Sequence, residues 1–163
     1  MSVFPVPRPL RPLSGTLPLV ASKSESNRAL ILRSLAGQEA IQLHNLSTAR
    51  DTRLLESLLD SGEEVLDARD AGTTLRFLTA RCAAANRPAL ITGTPRMCQR
   101  PVGILVEALR EIGADITYEG EEGFPPVRLH GFTQTSSDVQ VQGNVSSQYI
   151  SALLLIAPFL EQG

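Results

Sequence analysis

The feature that most constrains the fold is a recurring pair of helices, one nearly all apolar and one amphipathic. Apolar helices are predicted at residues 26–36, 75–85 and 149–160, and each follows a short polar turn. Amphipathic helices are predicted at residues 48–61 and 101–112. A helix that is apolar on every side must be buried. The pattern therefore predicts a central core of helices, with sheets and amphipathic helices outside it.

Short stretches of alternating apolar and polar residues between these helices predict β-strands. The predicted strands cover residues 16–20, 41–45, 64–66, 88–92, 115–118, 127–130 and 139–141. Strands and helices together make two similar units and the beginning of a third, after a proline-containing leader. The expected fold class is therefore α/β (α+β), built from repeated units.

Composition is that of a soluble globular protein, because 42% of the 163 residues are hydrophobic and 20% are charged. A net charge of −2 provides no general attraction to nucleic acid or to an anionic membrane, so neither is expected as a partner. Cys82 and Cys98 lack the spacing of a metal site, which favours a reducing, cytoplasmic setting. No metal or cofactor is expected. Residues 150–160, the most apolar segment, are too few to span a bilayer.

The turn before the first apolar helix has the composition of an anion site. Lys23 is the only lysine among the fifteen basic residues, and it stands among three serines and an asparagine that favour helix N-caps. Arg28 follows in the first turn. A helix start presents free N–H groups and the positive end of a macrodipole, so this stretch is suited to a phosphate or carboxylate. An ordinary N-cap with two solvated charges is the alternative interpretation.

The other two apolar helices begin in the same way, at Gly72-Thr73 and at Ser146-Ser147. If the repeated units are related by rotation, the three helix starts meet at one end of the core. Three positive helix ends would then bind one anionic ligand together. Helix capping without any ligand would produce the same residues.

Four polar motifs stand in order along nearly the whole chain. They are Ser22-Lys23-Ser24-Glu25-Ser26-Asn27-Arg28-Ala29, Asp70-Ala71-Gly72-Thr73-Thr74-Leu75-Arg76, Pro95-Arg96-Met97-Cys98-Gln99-Arg100-Pro101 and Gly143-Asn144-Val145-Ser146-Ser147-Gln148-Tyr149. Together they resemble the motifs of the 5-enolpyruvylshikimate-3-phosphate (EPSP) synthase family, also called 3-phosphoshikimate 1-carboxyvinyltransferase. The stretch Gly123-Phe124-Pro125-Pro126 adds a weaker fifth match.

The resemblance implies a two-domain enzyme with three βαβαββ units in each domain, arranged as an inside-out α/β barrel with buried helices and outward-facing sheets. It implies transfer of the enolpyruvyl (carboxyvinyl) group of phosphoenolpyruvate to the 5-hydroxyl of shikimate 3-phosphate, with release of phosphate. This reaction belongs to the biosynthesis of chorismate and the aromatic amino acids. The implied partners are these two small molecules.

Family members are well over twice as long as this chain, which implies that the chain is an N-terminal fragment. Residues 1–20 would be a leader strand and a crossover from the other domain. Residues 21–163 would form about two and a half units, truncated in the third. The family's proton-transfer groups would lie outside the fragment, so we expect the isolated chain to be inactive. We also expect the full-length enzyme to be a monomer and the fragment to self-associate through its last helix.

The resemblance also assigns residues to the two substrates. Lys23 would be catalytic and would contact both of them. The residues implied for shikimate 3-phosphate are Lys23, Ser24, Arg28, Ser146, Ser147 and Gln148, and those on the phosphoenolpyruvate side are Gly72 and Arg100. Hydroxyls and N–H groups suit a phosphate, and an arginine fork suits a carboxylate or phosphate.

Two positions depart from the family pattern. Arg69-Asp70 stands where Gly-Asn is common, and these two charges either pair with each other or alter the phosphoenolpyruvate pocket. Phe77 stands where many members have proline. A charge cluster at the start of the second helix, Arg50, Asp51 and Arg53, is expected to be structural.

Two alternatives remain open on the sequence. UDP-N-acetylglucosamine enolpyruvyl transferase shares the fold, but its first motif pairs the lysine with an asparagine, whereas Lys23 is followed here by Ser24. That family often has a reactive cysteine before an Arg-Pro pair, and Cys98 lies too close to Arg100 to match it. The second alternative is a non-catalytic fragment that binds a phosphate ligand.

Overall fold

The computed structural model describes Pro5, Pro12 and residues 14–162, and these residues form six α-helices and four strands. In chain order they are α1 (Lys23–Ala36), α2 (Arg50–Asp60), β1 (Val65–Asp67), α3 (Gly72–Ala84), β2 (Ala89–Thr92), α4 (Pro95–Cys98), α5 (Gly103–Glu111), β3 (Ala114–Tyr118), β4 (Val127–Phe132) and α6 (Ser147–Ile156). A 3₁₀ turn, Ala157–Phe159, follows α6 at Pro158. No helix in these ranges is long and apolar enough to cross a membrane.

A four-stranded sheet and the helices α3 and α5 form one βαβαββ unit between residues 65 and 132, with the short helix α4 in the connection from β2 to α5. The strand order is β1-β2-β4-β3, with β1 parallel to β2 and the other pairs antiparallel. The parallel pair requires a crossover, and α3 provides it. Leu66, Ile91 and Val127 lie side by side in register and are fully buried. The repeated unit predicted from the sequence is therefore confirmed for this part of the chain.

The core forms around α3, which is buried on almost every side and packs against α1, α2, α5 and α6. Its residues Leu75, Phe77 and Leu78 are wholly inaccessible to solvent. Burial of such side chains contributes about 1.5–3 kcal/mol each. The prediction that all three apolar helices are buried all round is wrong for α1 and α6. In α6, for example, Leu154 is 67% exposed, because this helix packs against its neighbours on one side.

Three of the predicted strands are absent from the structure. They are the predictions at residues 16–20, 41–45 and 139–141. In the first, Leu17 and Leu19 are 85% and 89% exposed, with no neighbouring strand to pair with among the described residues. In the other two, the alternation arises because irregular chain packs one side against the core. Most of the predicted leader, residues 1–4, 6–11 and 13, lies outside the described residues, as does residue 163.

Three helices begin earlier than predicted, which changes the position of the polar motifs, and one of them is α6, which begins at Ser147 instead of Tyr149. Helix α1 begins at Lys23, because the Ser22 hydroxyl accepts a hydrogen bond from the Glu25 amide (3.3 Å) and caps the helix. Helix α3 begins at Gly72 instead of Leu75. The motifs predicted as turns are thus the first helical turns. The helix predicted from Pro101 begins at Gly103, and the short helix α4 before it was not predicted.

Candidate functional site

Two arginines connect the first turns of α1, α3 and α6 at one end of the core. The Arg28 guanidinium of α1 donates a hydrogen bond to the Ser151 hydroxyl of α6 (3.1 Å) and lies 5.6 Å from the centre of the Phe77 ring of α3. Arg76 of α3 donates to the side-chain oxygen of Gln148 in α6 (3.3 Å). The three helix starts therefore lie at the same end of the core. Binding of one ligand among them stays a prediction.

Lys23 stands at this end of the molecule, in an ion pair with Asp51. The lysine Nζ lies 2.8 Å from the Asp51 Oδ2, and the two side chains are 52% and 33% exposed. Ion pairs that retain this much solvent contribute less than about 1 kcal/mol. An incoming phosphate can therefore compete for the ammonium group. The charge cluster predicted at the start of α2 thus reaches the candidate site through Asp51.

Ser24 and Arg28 interact with each other inside the first turns of α1. The Arg28 Nη1 donates to the Ser24 carbonyl oxygen (3.0 Å) and also to the Ser24 hydroxyl. Ser24 itself is exposed, whereas Arg28 is half-buried. The arginine is held in place by α1, α3 and α6 together, so its guanidinium is preorganised.

The start of α6 contains the serine pair and Gln148. Ser146 is the N-cap, and its hydroxyl accepts a hydrogen bond from the Gln148 amide at 3.3 Å. Ser147 is the first helical residue and is exposed. Capping therefore accounts for Ser146, as the alternative interpretation proposed. The Gln148 and Tyr149 backbone N–H groups donate to the Ser146 hydroxyl and carbonyl, so the Ser147 hydroxyl and its own backbone N–H are the donors open to a ligand.

Gly72 and Arg100 adjoin at the start of α3. A Cβ atom at Gly72 would lie 2.5 Å from the Arg100 Nη1 and 2.7 Å from the Arg76 Nη1. Two guanidinium groups thus approach the backbone here, and a glycine is required to leave them room. The Arg76 guanidinium was not predicted as part of the site. It is 4% exposed, and its occurrence inside a nearly all-apolar helix was the available signal.

An open pocket of about 260 Å³ lies beside Arg100, and Asp70, Arg96 and Met97 complete its lining. Asp70 Oδ1 accepts a hydrogen bond from the Thr94 hydroxyl, whereas Arg69 pairs with Asp67 at 3.2 Å. The two charges that depart from the family pattern therefore do not pair with each other, and a carboxylate lines the pocket. The other departure, Phe77, is buried under Arg28, and α3 continues through it without a break.

The titratable groups with clearly shifted pKa values lie away from this end of the core. Burial raises the pKa of the Cys82 thiol, and burial likewise raises the pKa of Tyr118. Within residues 14–162, no three His, Cys, Asp or Glu side chains cluster in a way that would hold a metal ion. The arrangement at the helix starts is thus one of fixed cations, hydroxyls and amides, which bind oxyanions.

Comparison with known proteins points to a single family. The family model for EPSP synthase (3-phosphoshikimate 1-carboxyvinyltransferase) matches residues 55–163. A 3-phosphoshikimate 1-carboxyvinyltransferase from Bacteroides fragilis strain YCH46 is 51% identical over 93% of this chain and 37% of its own length. One from Pectobacterium carotovorum strain PC1 is 38% identical over 95% of this chain and 42% of its own length.

A solved structure has the same fold. The EPSP synthase from Acinetobacter baumannii superposes with a TM-score of 0.70 at 21% identity, over 87% of this chain and 38% of that chain. This chain therefore spans about 37–42% of the length of the curated relatives it matches. Because the family model covers well over half of it, the chain belongs to the EPSP synthase (3-phosphoshikimate 1-carboxyvinyltransferase) family.

Proposed function

We propose that this chain contributes part of the substrate site of a 3-phosphoshikimate 1-carboxyvinyltransferase. In that reaction the enolpyruvyl group of phosphoenolpyruvate passes to the 5-hydroxyl of shikimate 3-phosphate, and phosphate leaves. The observation that carries the proposal is the meeting of three helix starts around Lys23, Arg28, Arg76 and Arg100. Both substrates are anions, and this concentration of cations contrasts with the chain's net charge of −2.

Shikimate 3-phosphate would bind between the starts of α1 and α6. Its phosphate would accept hydrogen bonds from the Ser147 hydroxyl and backbone N–H and from the side-chain NH₂ of Gln148, with Ser146 capping the helix. Lys23, Ser24 and Arg28 would approach from α1. A hydrogen bond to a charged group contributes about 1.5–3 kcal/mol. Several such bonds suffice to hold a small phosphate ester.

Phosphoenolpyruvate would lie on the other side of Lys23, at Gly72 and Arg100. The absence of a side chain at Gly72 lets the Arg100 and Arg76 guanidinium groups lie against the first turn of α3, where they would face the ligand. The Arg100 guanidinium would bind its carboxylate or phosphate through two parallel hydrogen bonds. Lys23, between the two anions, would stabilise the charge that develops on the departing phosphate.

The same proposal extends to the setting of the protein. Cys82 and Cys98 are both free thiols, which supports a cytoplasmic location. We propose small-molecule partners only, without nucleic acid or membrane. We also propose that the chain self-associates through the exposed Leu154 of α6, whereas a full-length enzyme is a monomer.

Binding without turnover is the second candidate, and one observation favours it for the isolated chain. Enolpyruvyl transfer requires a group that takes the hydroxyl proton and a group that protonates the methylene carbon. Asp51, the carboxylate nearest to Lys23 in the described residues, already forms an ion pair. We therefore expect no phosphate release when the chain is mixed with both substrates. Robust release would show that Lys23 and its neighbours supply proton transfer themselves.

Titration of shikimate 3-phosphate into the 163-residue chain, followed by NMR and calorimetry, tests the proposed function. We expect binding that weakens at least about tenfold in Lys23→Met, because one charge-assisted hydrogen bond is lost. Ser147→Ala should also weaken binding of shikimate 3-phosphate, with less effect on phosphoenolpyruvate. Arg128→Gln is the matched control, because it removes one positive charge from β4, away from the helix starts. Equal affinities in all four proteins would mean that the motifs are helix caps only.

A further inference from the structure

Arg76 is a buried guanidinium that has no carboxylate partner among residues 14–162. It is 4% exposed, and within the described residues no acidic side chain forms an ion pair with it. Its Nε has no hydrogen-bond partner in this part of the chain. A buried charge that is not neutralised is costly for the fold. A role that needs this charge at this place would account for it.

The hydrogen-bond acceptors of Arg76 all lie in or next to residues that the proposed function assigns to substrate binding. Nη1 donates to the Gly72 carbonyl (3.0 Å) and to the Gln148 Oε1 (3.3 Å). Nη2 donates to the carbonyl of Pro101 (3.1 Å), the residue next to Arg100. The Tyr149 hydroxyl donates to the same carbonyl (2.7 Å), and the Tyr149 ring lies 5.2 Å below the guanidinium. One side chain thus connects the start of α3, the start of α6 and the segment after α4.

The contact with Gln148 determines which end of its amide is free. A guanidinium has donors only, so the glutamine must present its oxygen to Arg76. The amide nitrogen, with its two N–H groups, is then directed away from the arginine. In this orientation the side-chain nitrogen of Gln148, which belongs to the first turn of α6 beside Ser147, remains a hydrogen-bond donor for another partner. Only a ligand with acceptor oxygens can use it.

We propose that Arg76 is a positioning residue, which fixes Gln148 as a donor to an oxyanion and aligns the Gly72 and Pro101 segments around the same ligand. The identity of that ligand as shikimate 3-phosphate rests on the proposed function, whereas the orientation of Gln148 does not. The positive charge of Arg76, which no carboxylate in the described residues neutralises, adds to the attraction for any anion at this end of the core. Arg76 acts through its neighbours and need not touch the ligand.

A pair of matched substitutions in α3 tests this role. Arg76→Lys keeps the charge, but a single ammonium group cannot bond three acceptors in the geometry of the planar fork. Arg81→Lys is the control, because Arg81 lies in the same helix and donates to the Ser34 hydroxyl (3.3 Å) far from the helix starts. We expect Arg76→Lys to weaken binding of shikimate 3-phosphate and of inorganic phosphate at least about tenfold, and Arg81→Lys to leave both unchanged. Equal binding by the two variants would overturn the proposal.

The side-chain NH₂ resonances of Gln148 provide a readout that a merely structural arginine would not affect. In the wild type they should shift when inorganic phosphate is added, and in Arg76→Lys they should not. If Arg76→Lys does not fold, the substitution Gln148→Glu tests whether the Gln148 donor is needed for phosphate binding. A carboxylate there neutralises Arg76 and removes the donor, so we expect a melting temperature at or above that of the wild type together with loss of phosphate binding. Retained binding, or a clearly lowered melting temperature, would contradict the proposal.

The two proposals fail in different ways. If the wild type binds phosphate but not shikimate 3-phosphate, the substrate assignment is wrong and the positioning role is still decided by the phosphate titrations. If the wild type binds shikimate 3-phosphate and Arg76→Lys binds it equally well, the positioning role is wrong and the proposed function stands. If the wild type binds neither anion, both are wrong.

Discussion

Lys23 and Asp51 form an ion pair with 2.8 Å between Nζ and Oδ2, and this pair joins the first turn of α1 to the first turn of α2. The lysine ammonium is therefore already partly neutralised in the ligand-free protein. Both side chains keep contact with solvent, so the pair is held weakly. A phosphate that approaches Lys23 must displace Asp51 or share the ammonium with it.

Asp51→Asn should therefore increase affinity for inorganic phosphate. Removal of the carboxylate leaves the ammonium free and removes a negative charge close to the incoming anion. We expect a several-fold tighter dissociation constant by calorimetry, and a loss of less than about 1 kcal/mol in the free energy of unfolding. Asp115→Asn, an equal change of charge on the exposed side of β3, should alter neither quantity. Weaker phosphate binding in Asp51→Asn would show that Asp51 orients Lys23 instead of competing for it.

Gly72→Ala should weaken both stability and ligand binding. The added methyl group would lie 2.5 Å from the Arg100 Nη1 and 2.7 Å from the Arg76 Nη1, so both guanidinium groups must move. Alanine is favoured over glycine in helices by roughly 0.5–1 kcal/mol, but this gain does not offset the displacement of Arg76, which is buried and bonded to three acceptors. We expect a lower urea midpoint and at least about tenfold weaker binding of phosphoenolpyruvate, equivalent to one lost charge-assisted hydrogen bond. Gly120→Ala, where the added group meets no atom within 4 Å, is the control. Unchanged phosphoenolpyruvate binding would remove Gly72 from the site.

The helices were predictable from the sequence because apolar periodicity over ten or more residues has few interpretations. The start of α3 was placed too late, since Gly72, Thr73 and Thr74 are residues typical of turns. Here their helical conformation is stabilised by the bond from Arg76, one turn later in α3, to the Gly72 carbonyl and by the bond from the Thr74 hydroxyl to the Asp51 carbonyl of α2 (3.4 Å). Short alternating stretches were the least reliable signal. Residues 41–45 alternate as a strand does, but Asn45 has a φ of +55°, which interrupts an extended chain.

Only the parts of the candidate site that belong to local sequence motifs were predictable. Lys23, Ser24 and Arg28 belong to one motif, and the structure brings their helix to the start of α6. The partners that give these residues their electrostatic setting are distant in sequence: Asp51 lies 28 residues from Lys23, and Gln148 lies 72 residues from Arg76. No local pattern indicates such contacts. Burial of Arg76 likewise follows from packing between helices, which a single sequence does not specify.

Asp70→Asn should raise the affinity of the pocket beside Arg100 for small anions. The Asp70 carboxylate lines that pocket with Arg96 and Arg100, so it repels an anion that the arginines attract. Asparagine can still accept the hydrogen bond from Thr94, so the local structure should persist. We expect a several-fold increase in affinity for phosphoenolpyruvate at low salt that shrinks at high salt, because exposed charges are screened. A gain independent of salt would indicate a change of shape instead of charge.

Leu154→Lys should suppress self-association. Leu154 is 67% exposed on α6, beside an apolar groove of about 140 Å³ lined by residues that include Leu153 and Val139. Contiguous exposed apolar surface favours association in water. We expect the wild type to sediment as dimers or larger species and the lysine variant to sediment as a smaller one. Val65→Lys, at a residue that is 47% exposed on β1 at the edge of the sheet, is the control and should have no such effect. A strictly monomeric wild type would contradict this prediction.

The thiol of Cys82 should make the protein less stable at alkaline pH. Burial raises its pKa above the ordinary value of 9.0, and the neighbouring Arg81 and Arg87 offset only part of this effect. The unfolded chain therefore loses the thiol proton at a lower pH than the folded protein does. Stability from this group is complete below about pH 9 and is lost as the pH rises toward the folded pKa, because the unfolded state gains the charged form first. Urea unfolding from pH 7 to 10 should show a steeper loss of the free energy of unfolding in the wild type than in Cys82→Ala.

The same burial protects the Cys82 thiol from reagents. A thiol reagent at pH 8 should therefore modify half-buried Cys98 first and Cys82 only after unfolding. If the free energy of unfolding depends on pH in the same way in the wild type and in Cys82→Ala, or if Cys82 is modified rapidly in the folded state, the thiol is accessible to solvent and the prediction is wrong.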